Sequence, residues 1–237
     1  MTHLTKLLLG LLVLGGAAAA FWWKFRPVSY RYTLSVTVET PDGIRAGSAV
    51  QEISGRDVLL KLADGQAAIV KLRGEAVPVR LPGDRYLFAL LSSEGEESII
   101  PAVQSTFDPE YKRGGQGNIA AIRKIARSPD GVVHQLQRVN AFERGNRPFL
   151  PRTVTFKDMR DPGSIVEVAP GDLPRQFGPG TVLRSVTVAK TSAPLTQSLF
   201  DVLPWLRSKP ATLEAGWKGG TNPTLAQKMS YRDFKRD

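Results

Sequence analysis

The chain has 237 residues, no cysteine and a formal net charge of +10 at pH 7. Its content of 42% hydrophobic and 23% charged residues is typical of a packed globular protein and excludes a disordered one. The lack of cysteine excludes a disulfide framework and a thiolate nucleophile, and with only two histidines we expect neither a metal site nor a cofactor.

An uncharged segment lies at the start of the chain, where residues 7–23 read LLLGLLVLGGAAAAFWW. As a helix it rises roughly 25 Å, close to the hydrocarbon core of about 30 Å. Residues 1–26 are therefore predicted to form a single-pass anchor that contacts membrane lipid. Aromatic rings and long cationic side chains favour the membrane interface, and those predicted to lie there are Phe21, Trp22, Trp23, Lys24 and Arg26.

A cleaved signal peptide is the alternative for the same segment. Lys6 would then belong to a basic start, residues 7–14 to the apolar region, and the alanines at 18–20 to the cleavage site. Cations after the segment favour a cytoplasmic domain, whereas a short basic start before leucines is typical of exported chains. We expect the domain on the exported side.

Residues 27–209 are predicted to form one β-rich globular domain. From Tyr30 to Val38 apolar and polar residues alternate, which indicates a half-buried strand, and the Thr-Pro-Asp-Gly run at 40–43 predicts a turn. Turns are also predicted at 54–55, 64–65, 73–74 and 82–84. The short strands that they separate are predicted at 49–53, 58–62, 67–72, 76–81 and 86–91, which indicates an antiparallel meander.

The second half of the chain mixes helices with strands. Residues 118–127 place isoleucines on one stripe of a helix, with Asn118 as its predicted N-cap. Strands are predicted at 132–139, 152–156, 165–168 and 182–189, a second helix at 195–203 and a short helix within 224–234. This order predicts a strand-dominated α+β fold with two or three short helices behind the N-terminal apolar helix, and residues 210–237 are predicted to form a basic tail.

A glycine-rich run at 114–117 precedes the basic helix. Backbone N–H groups at a helix N-terminus, with cationic side chains beside them, can hold a phosphate or a carboxylate. A connection that binds nothing is the simpler interpretation of the same residues. The residues predicted for the anion site are Lys112, Arg113, Gly115, Gly117, Asn118 and Arg123.

No catalytic residue is predicted. His134 lies in a strand-like segment, where a position on a sheet face is expected rather than a place in a triad. Carboxylates for a glycosidase-type reaction are present, but no spacing selects a pair. Scattered aromatic residues without a recognition motif argue against a nucleic-acid partner. The carboxylates considered are Asp42, Asp57, Glu75, Asp108, Glu110, Asp158 and Asp161.

The densest apolar cluster after the N-terminal segment lies at residues 199–206. Core packing explains such a cluster, and the alternative is a partner groove or a membrane-facing patch, since Trp205 is followed by Arg207 and Lys209.

Several short motifs occur together with the apolar segment and the turn at 40–43. They are Val-Thr-Phe at 154–156, Asp-Pro at 161–162, Phe-Gly-Pro-Gly at 177–180 and Leu-Pro-Trp-Leu at 203–206. In this combination the chain resembles a group of bacterial envelope proteins without an assigned activity. The resemblance implies a location in the bacterial inner membrane and carries over no functional residue.

These observations predict a membrane-anchored, non-enzymatic envelope domain that binds a protein partner or an anionic envelope component. A hydrolase with paired carboxylates and a structural subunit of an envelope complex are the alternatives.

Overall fold

The computed structural model describes residues 13–16, 22, 25–58, 68–93, 98–111, 115–136, 150–214 and 222–237. Antiparallel strands dominate these ranges and the helices between them are short, which confirms a strand-dominated α+β fold. The strands are β1 Val28–Thr40, β2 Gly43–Asp57, β3 Ala68–Glu75, β4 Val77–Leu81, β5 Arg85–Ser93, β6 Val133–Gln135, β7 Pro151–Phe156, β8 Ile165–Glu167, β9 Val182–Thr191 and β10 Lys235–Arg236.

The described strands form two sheets. The first sheet has six strands in the order β10-β3-β2-β1-β9-β6, and the second has four in the order β4-β5-β7-β8. Neighbours in chain order pair from β1 to β3, as a meander predicts, but β9 returns from late in the chain to pair with β1. The first sheet is therefore a meander extended by later strands.

The hairpin of β1 and β2 confirms the turn predicted at 40–43. Thr40 pairs with Gly43, which leaves Pro41 and Asp42 as a two-residue loop, and Gly43 has a φ of 107°. Glycine reaches this region without a steric penalty. The alternation along β1 is confirmed too, since Tyr32 and every second residue up to Thr40 are buried.

Two predicted turns are wrong, because β2 runs through residues 54–55 and β3 runs through 73–74. A Cβ at Gly55 would lie 2.6 Å from Cδ1 of Ile119 and 2.7 Å from Cδ1 of Ile122. Glycine is needed there because a helix packs directly on the strand. The turn predicted at 64–65 and most of the strand predicted at 58–62 lie outside the described residues.

After the N-terminal segment the described α-helices number six, more than the two or three predicted, and most are one or two turns long. The helix predicted to start at Asn118 begins at Gly115, and the helix predicted at 195–203 is limited to four residues. They are α1 Ile100–Phe107, α2 Gly115–Ala126, α3 Leu173–Phe177, α4 Leu199–Val202, α5 Leu225–Lys228 and α6 Tyr231–Phe234.

The first hydrophobic core lies on the inner face of the six-stranded sheet. Alternate residues of β5 (Leu87, Ala89 and Leu91) enter this core, while Phe88 and Leu90 enter a second one. The β4–β5 sheet is therefore buried on both faces, which explains the unbroken apolar run of β5. Near the start of β1 the first core is closed by helices α1 and α2 instead.

The second core lies between the outer face of the four-stranded sheet and the C-terminal part of the chain. Leu199, Leu203 and Leu206 are fully buried in it, which confirms core packing for the apolar cluster at 199–206. Phe156 meets Trp205 edge to face at 5.6 Å between ring centroids, and Trp205 meets Phe234 in the same way at 6.0 Å.

The stretch predicted as a basic tail, residues 210–237, packs on the domain wherever the structure describes it. Leu213, Met229 and Phe234 are buried in the second core, and β10 pairs with β3. Capping boxes at Thr224 and Ser230 start helices α5 and α6, so the single helix predicted within 224–234 is two short ones.

Most of the predicted anchor lies outside the described residues, including Phe21, Trp23 and Lys24. The described part shows Trp22 68% exposed, with its carbonyl accepting the N–H of Arg26 at 2.9 Å. Among the residues that the structure describes, no helix is long and apolar enough to cross a membrane. The anchor stays a prediction.

Candidate functional site

An open groove of about 490 Å³ lies between the start of β2 and the tip of the β4–β5 hairpin. Its volume falls in the range of small-molecule pockets, about 300–1,000 Å³. Ile44, Arg45 and Ala46 line one side, and residues 80–84 line the other. The groove lies at the end of the domain far from the N-terminal segment, because β1 runs from Val28 toward this end.

The groove exists because two strands diverge. β2 pairs with β3 from Glu52–Arg73 to Asp57–Ala68, and the same register continued would place Gly47 opposite Pro78. Instead β4 pairs with β5 in the other sheet, and no β2–β4 ladder occurs among the described residues. Proline cannot donate to such a ladder, which suits a position where the pairing ends.

At Gly47 the two strands still touch. A Cβ on this residue would lie 2.1 Å from the carbonyl oxygen of Pro78, so only glycine fits here. Beyond this contact the strands separate, and residues 43–46 are exposed. Gly47 is thus the point from which the groove opens.

Between residues 44 and 50, every second residue of β2 directs its backbone N–H and C=O groups away from β1. The N–H of Val50 donates to the Thr196 hydroxyl at 2.8 Å, and the N–H of Thr196 donates to the Val50 carbonyl at 3.3 Å. N–H and C=O groups of every second residue point to the same side of a strand. Those of Ile44, Ala46 and Ser48 therefore also point away from β1, and none has a hydrogen-bond partner on that side among the described residues.

Charge in the groove is mainly positive. Arg45 has neither a hydrogen-bond partner nor an ion-pair partner in the described part of the chain, and Arg80 donates to Asp84 four residues later. Asp84 has a φ of 54°, which aspartate tolerates better than most residues, and it follows Gly83 with a φ of 72°. This three-residue loop holds Arg80 at the groove wall, and the hydrogen bond that Arg80 donates to Asp84 raises the pKa of the guanidinium.

The anion site predicted around the second helix is only partly described. Lys112 and Arg113 lie outside the described residues, and Gly115 and Gly117 are in the first turn of α2. The Asn118 side chain accepts the Tyr111 hydroxyl at 2.6 Å, so it is engaged inside the protein. The anion site stays a prediction.

The described cations of α2 are paired with carboxylates. Arg123 donates to Asp57 at 2.8 Å, and Lys124 donates to Asp108 at 2.6 Å and to Glu110 at 3.0 Å. These hydrogen bonds raise the pKa of Lys124, and the bond that Lys124 donates to Asp108 contributes most. The helix therefore carries less free positive charge than its sequence indicates.

A fully buried carboxylate lies at the junction of the two sheets, between β3 and β4. One Glu75 oxygen accepts the N–H groups of Ser198 and Leu199 at 2.8 and 3.1 Å, and the other accepts Lys235 Nζ at 3.3 Å. The Glu75 backbone carbonyl accepts the Gln51 amide at 2.9 Å. Every one of these bonds joins Glu75 to a distant part of the chain, which indicates a structural role.

The described carboxylates form no acid–base pair across a cleft. Asp108 and Glu110 come together, but both bind Lys124. His134 is half-buried in β6, where its ring meets Phe107 at 5.3 Å, so it sits on a sheet face as predicted. In the described ranges no group of three His, Asp or Glu side chains is placed to hold a metal ion.

The groove residues were not predicted as a site from the sequence. The groove could be predicted only by continuing the β2–β3 register to Pro78. That requires knowing that β2 pairs with β3 and that β4 pairs with β5. Comparison of the chain with protein-family models, with curated proteins and with solved structures finds no match.

Proposed function

We propose that this chain is a membrane-anchored, non-enzymatic domain of a bacterial envelope that binds a protein partner in the groove between β2 and β4. The observation that carries the proposal is the unpaired edge of β2 beside Arg45. A free strand edge is a common docking element for another polypeptide.

The position of the groove supports the same proposal. β1 has 13 residues, and at about 3.3 Å per residue it extends roughly 40 Å from the N-terminal segment. If that segment is anchored, the groove faces away from the membrane, where a partner can reach it.

An anionic envelope component is the second candidate ligand and would use the basic side of helix α2. The ion pairs of Arg123 and Lys124 weaken this candidate, because an incoming anion would have to compete with Asp57, Asp108 and Glu110. The groove, where Arg45 has no such partner, supports the protein ligand better.

A topology experiment tests the anchored domain. The chain has no cysteine, so Asp42→Cys at the exposed hairpin loop adds a single label site. We expect a membrane-impermeant maleimide to label this variant in intact spheroplasts, and N-terminal sequencing of the membrane fraction to start at Met1. Thr2→Cys is the matched control and should react only after permeabilisation. Labelling of position 42 only after permeabilisation, or a soluble product starting at Phe21, contradicts the proposal.

A further inference from the structure

We propose that the groove takes an extended polypeptide segment, which adds to β2 as a new strand beside residues 44–48 and directs acidic side chains toward Arg45. This inference rests on the proposed function and names the chemistry of the partner.

The backbone supplies the first part of the recognition. Ile44, Ala46 and Ser48 each present an N–H and a C=O that point away from β1 and have no described partner. An added strand would lie about 4.8 Å from β2 and satisfy these groups in the alternating pattern of a sheet. Such main-chain bonds provide affinity that does not depend on the partner's sequence.

The side chains supply the specificity. Along β2, Ile44 projects on the outer face and is 69% exposed, whereas Arg45 projects on the inner face toward the groove. A partner with alternating side chains would therefore place apolar groups beside Ile44 and acidic groups beside Arg45. Arg80 lies on the other wall, where Asp84 already accepts its hydrogen bonds, so it contributes less. Carboxylate–guanidinium pairs can form two parallel hydrogen bonds, which favours Glu or Asp in the partner over a neutral residue.

A second copy of this chain is a poorer occupant of the same edge. Antiparallel pairing of two β2 edges about a two-fold axis would bring both Arg45 side chains onto one face, only a few residues apart. Each copy would also bring its own Arg80. Like charges on neighbouring strands destabilise a sheet, so charge complementarity favours an acidic partner.

The binding test uses the full chain in detergent and a fluorescein-labelled peptide of sequence Gly-Thr-Val-Glu-Val-Glu-Val-Thr-Gly, followed by fluorescence anisotropy. We expect binding that weakens with salt, and a loss of affinity of about tenfold or more in Arg45→Glu, since an attractive charge becomes a repulsive one. Arg80→Gln should weaken binding less. Lys71→Glu makes the same charge change at an exposed position of β3 outside the groove and should leave the affinity within about twofold of the original.

A second measurement tests the strand addition itself. On addition of the peptide, amide hydrogen exchange should slow at Ile44, Ala46 and Ser48 in the unmodified chain. Ala46→Pro removes an N–H that points away from β1, so the β1–β2 ladder should survive while peptide affinity falls. Circular dichroism checks the fold of this variant, and the exchange result stands even if the variant does not fold.

Several outcomes overturn the inference. They are unchanged exchange at these three amides, equal binding of a peptide with Lys in place of Glu, and unchanged affinity in Arg45→Glu. Sedimentation that shows a dimer abolished by Ala46→Pro would assign the edge to a second copy and overturn it too. The topology experiment is independent, because cysteine labelling can support the anchored domain when the peptide fails, and peptide binding can succeed when labelling contradicts the anchor.

Discussion

Two tyrosines on the inner face of β1 differ in one hydrogen bond. The Tyr32 hydroxyl donates to Gln51 Oε1 at 2.6 Å, whereas the equally buried Tyr30 hydroxyl has no hydrogen-bond partner among the described residues. Burial raises the pKa of both hydroxyls well above the ordinary value. Comparison of the two tyrosines therefore separates the free-energy cost of burying a hydroxyl from the gain of giving it a hydrogen bond.

We predict opposite effects of removing these two hydroxyls. Tyr30→Phe should leave the free energy of unfolding unchanged or raise it by about 1 kcal/mol, since an unsatisfied polar group is removed. Tyr32→Phe should lower it by about 1–3 kcal/mol, because Gln51 Oε1 is left without its donor. Urea unfolding of the full chain, followed by far-UV circular dichroism, measures both, and equal losses in the two variants would contradict this account.

A third tyrosine gives a pH dependence at the C-terminus. Burial, and then the hydrogen bond from its hydroxyl to the Asp237 carboxylate, raise the pKa of Tyr231 to about 12 from an ordinary value of about 10. Because the folded pKa is the higher one, this contribution to stability is complete below pH 10 and is lost as the pH rises from about 10 to about 12.

We predict that Asp237→Asn lowers the pKa of Tyr231, since the neighbouring negative charge disappears while the burial persists. Tyrosinate absorbance in a pH titration measures the shift, with Tyr231→Phe identifying the signal. Asp233→Asn, which changes a charge in the same helix without a bond to this hydroxyl, is the control. An unchanged titration in Asp237→Asn would show that burial alone sets the pKa.

At the scale of elements, a glycine allows helix α2 to pack on β2. The Cβ of an alanine at position 55 would meet the Cδ1 atoms of Ile119 and Ile122. We predict that Gly55→Ala lowers the free energy of unfolding by about 1–3 kcal/mol through overpacking. Gly171→Ala, where nothing lies within 4 Å of the added atom, should change it little.

A second substitution tests whether the contact with helix α2 causes this loss of stability. Ile122→Val removes Cδ1 and should cost about 0.5–1.5 kcal/mol alone, but it should restore part of the stability when combined with Gly55→Ala. Additive losses in the double variant would show that the cost of Gly55→Ala comes from the strand backbone rather than from the helix contact.

The sequence predicts well the elements that depend on a pattern of neighbouring residues. Alternation identified β1, and the turns at 40–43 and 82–84 carry proline and glycine where the backbone needs them. Gly55 and Gly74 have the same appearance in the sequence but serve long-range contacts, with α2 and with Gln51. The sequence around each glycine therefore predicted a turn, and both predictions were wrong.

The groove could not be predicted for the same reason. Nothing near Arg45 or Arg80 marks a site, since Arg45 lies near the start of β2 and Arg80 near the end of β4 without a motif around either. They line the same groove because β2 and β4 diverge between Gly47 and the start of β2. This divergence depends on the pairing of β4 with β5. Helix α1 also went unpredicted, because eight residues with a proline near the start show little periodicity.

At the scale of the whole molecule, the Glu75 carboxylate joins three distant parts of the chain. Glu75 is the last residue of β3. Its carboxylate accepts a hydrogen bond from the backbone N–H of Ser198 at the start of α4 and pairs with Lys235 in β10. Glu75 is fully buried and the Lys235 side chain is 10% exposed. A buried charge that loses its partner is costly, whereas removal of both charges is far less so.

We predict that Lys235→Met lowers the free energy of unfolding by about 3–5 kcal/mol, because Glu75 would remain buried without its counter-ion. Glu75→Gln combined with Lys235→Met should recover part of this loss, since the amide oxygen can still accept the N–H groups of Ser198 and Leu199. Lys209→Met breaks an exposed pair with Asp237 and should cost no more than about 1 kcal/mol. Urea unfolding followed by circular dichroism and by tryptophan fluorescence measures all three. Equal losses of stability in Lys235→Met and Lys209→Met would mean that the buried Glu75–Lys235 pair does not hold the C-terminal part of the chain on the sheets.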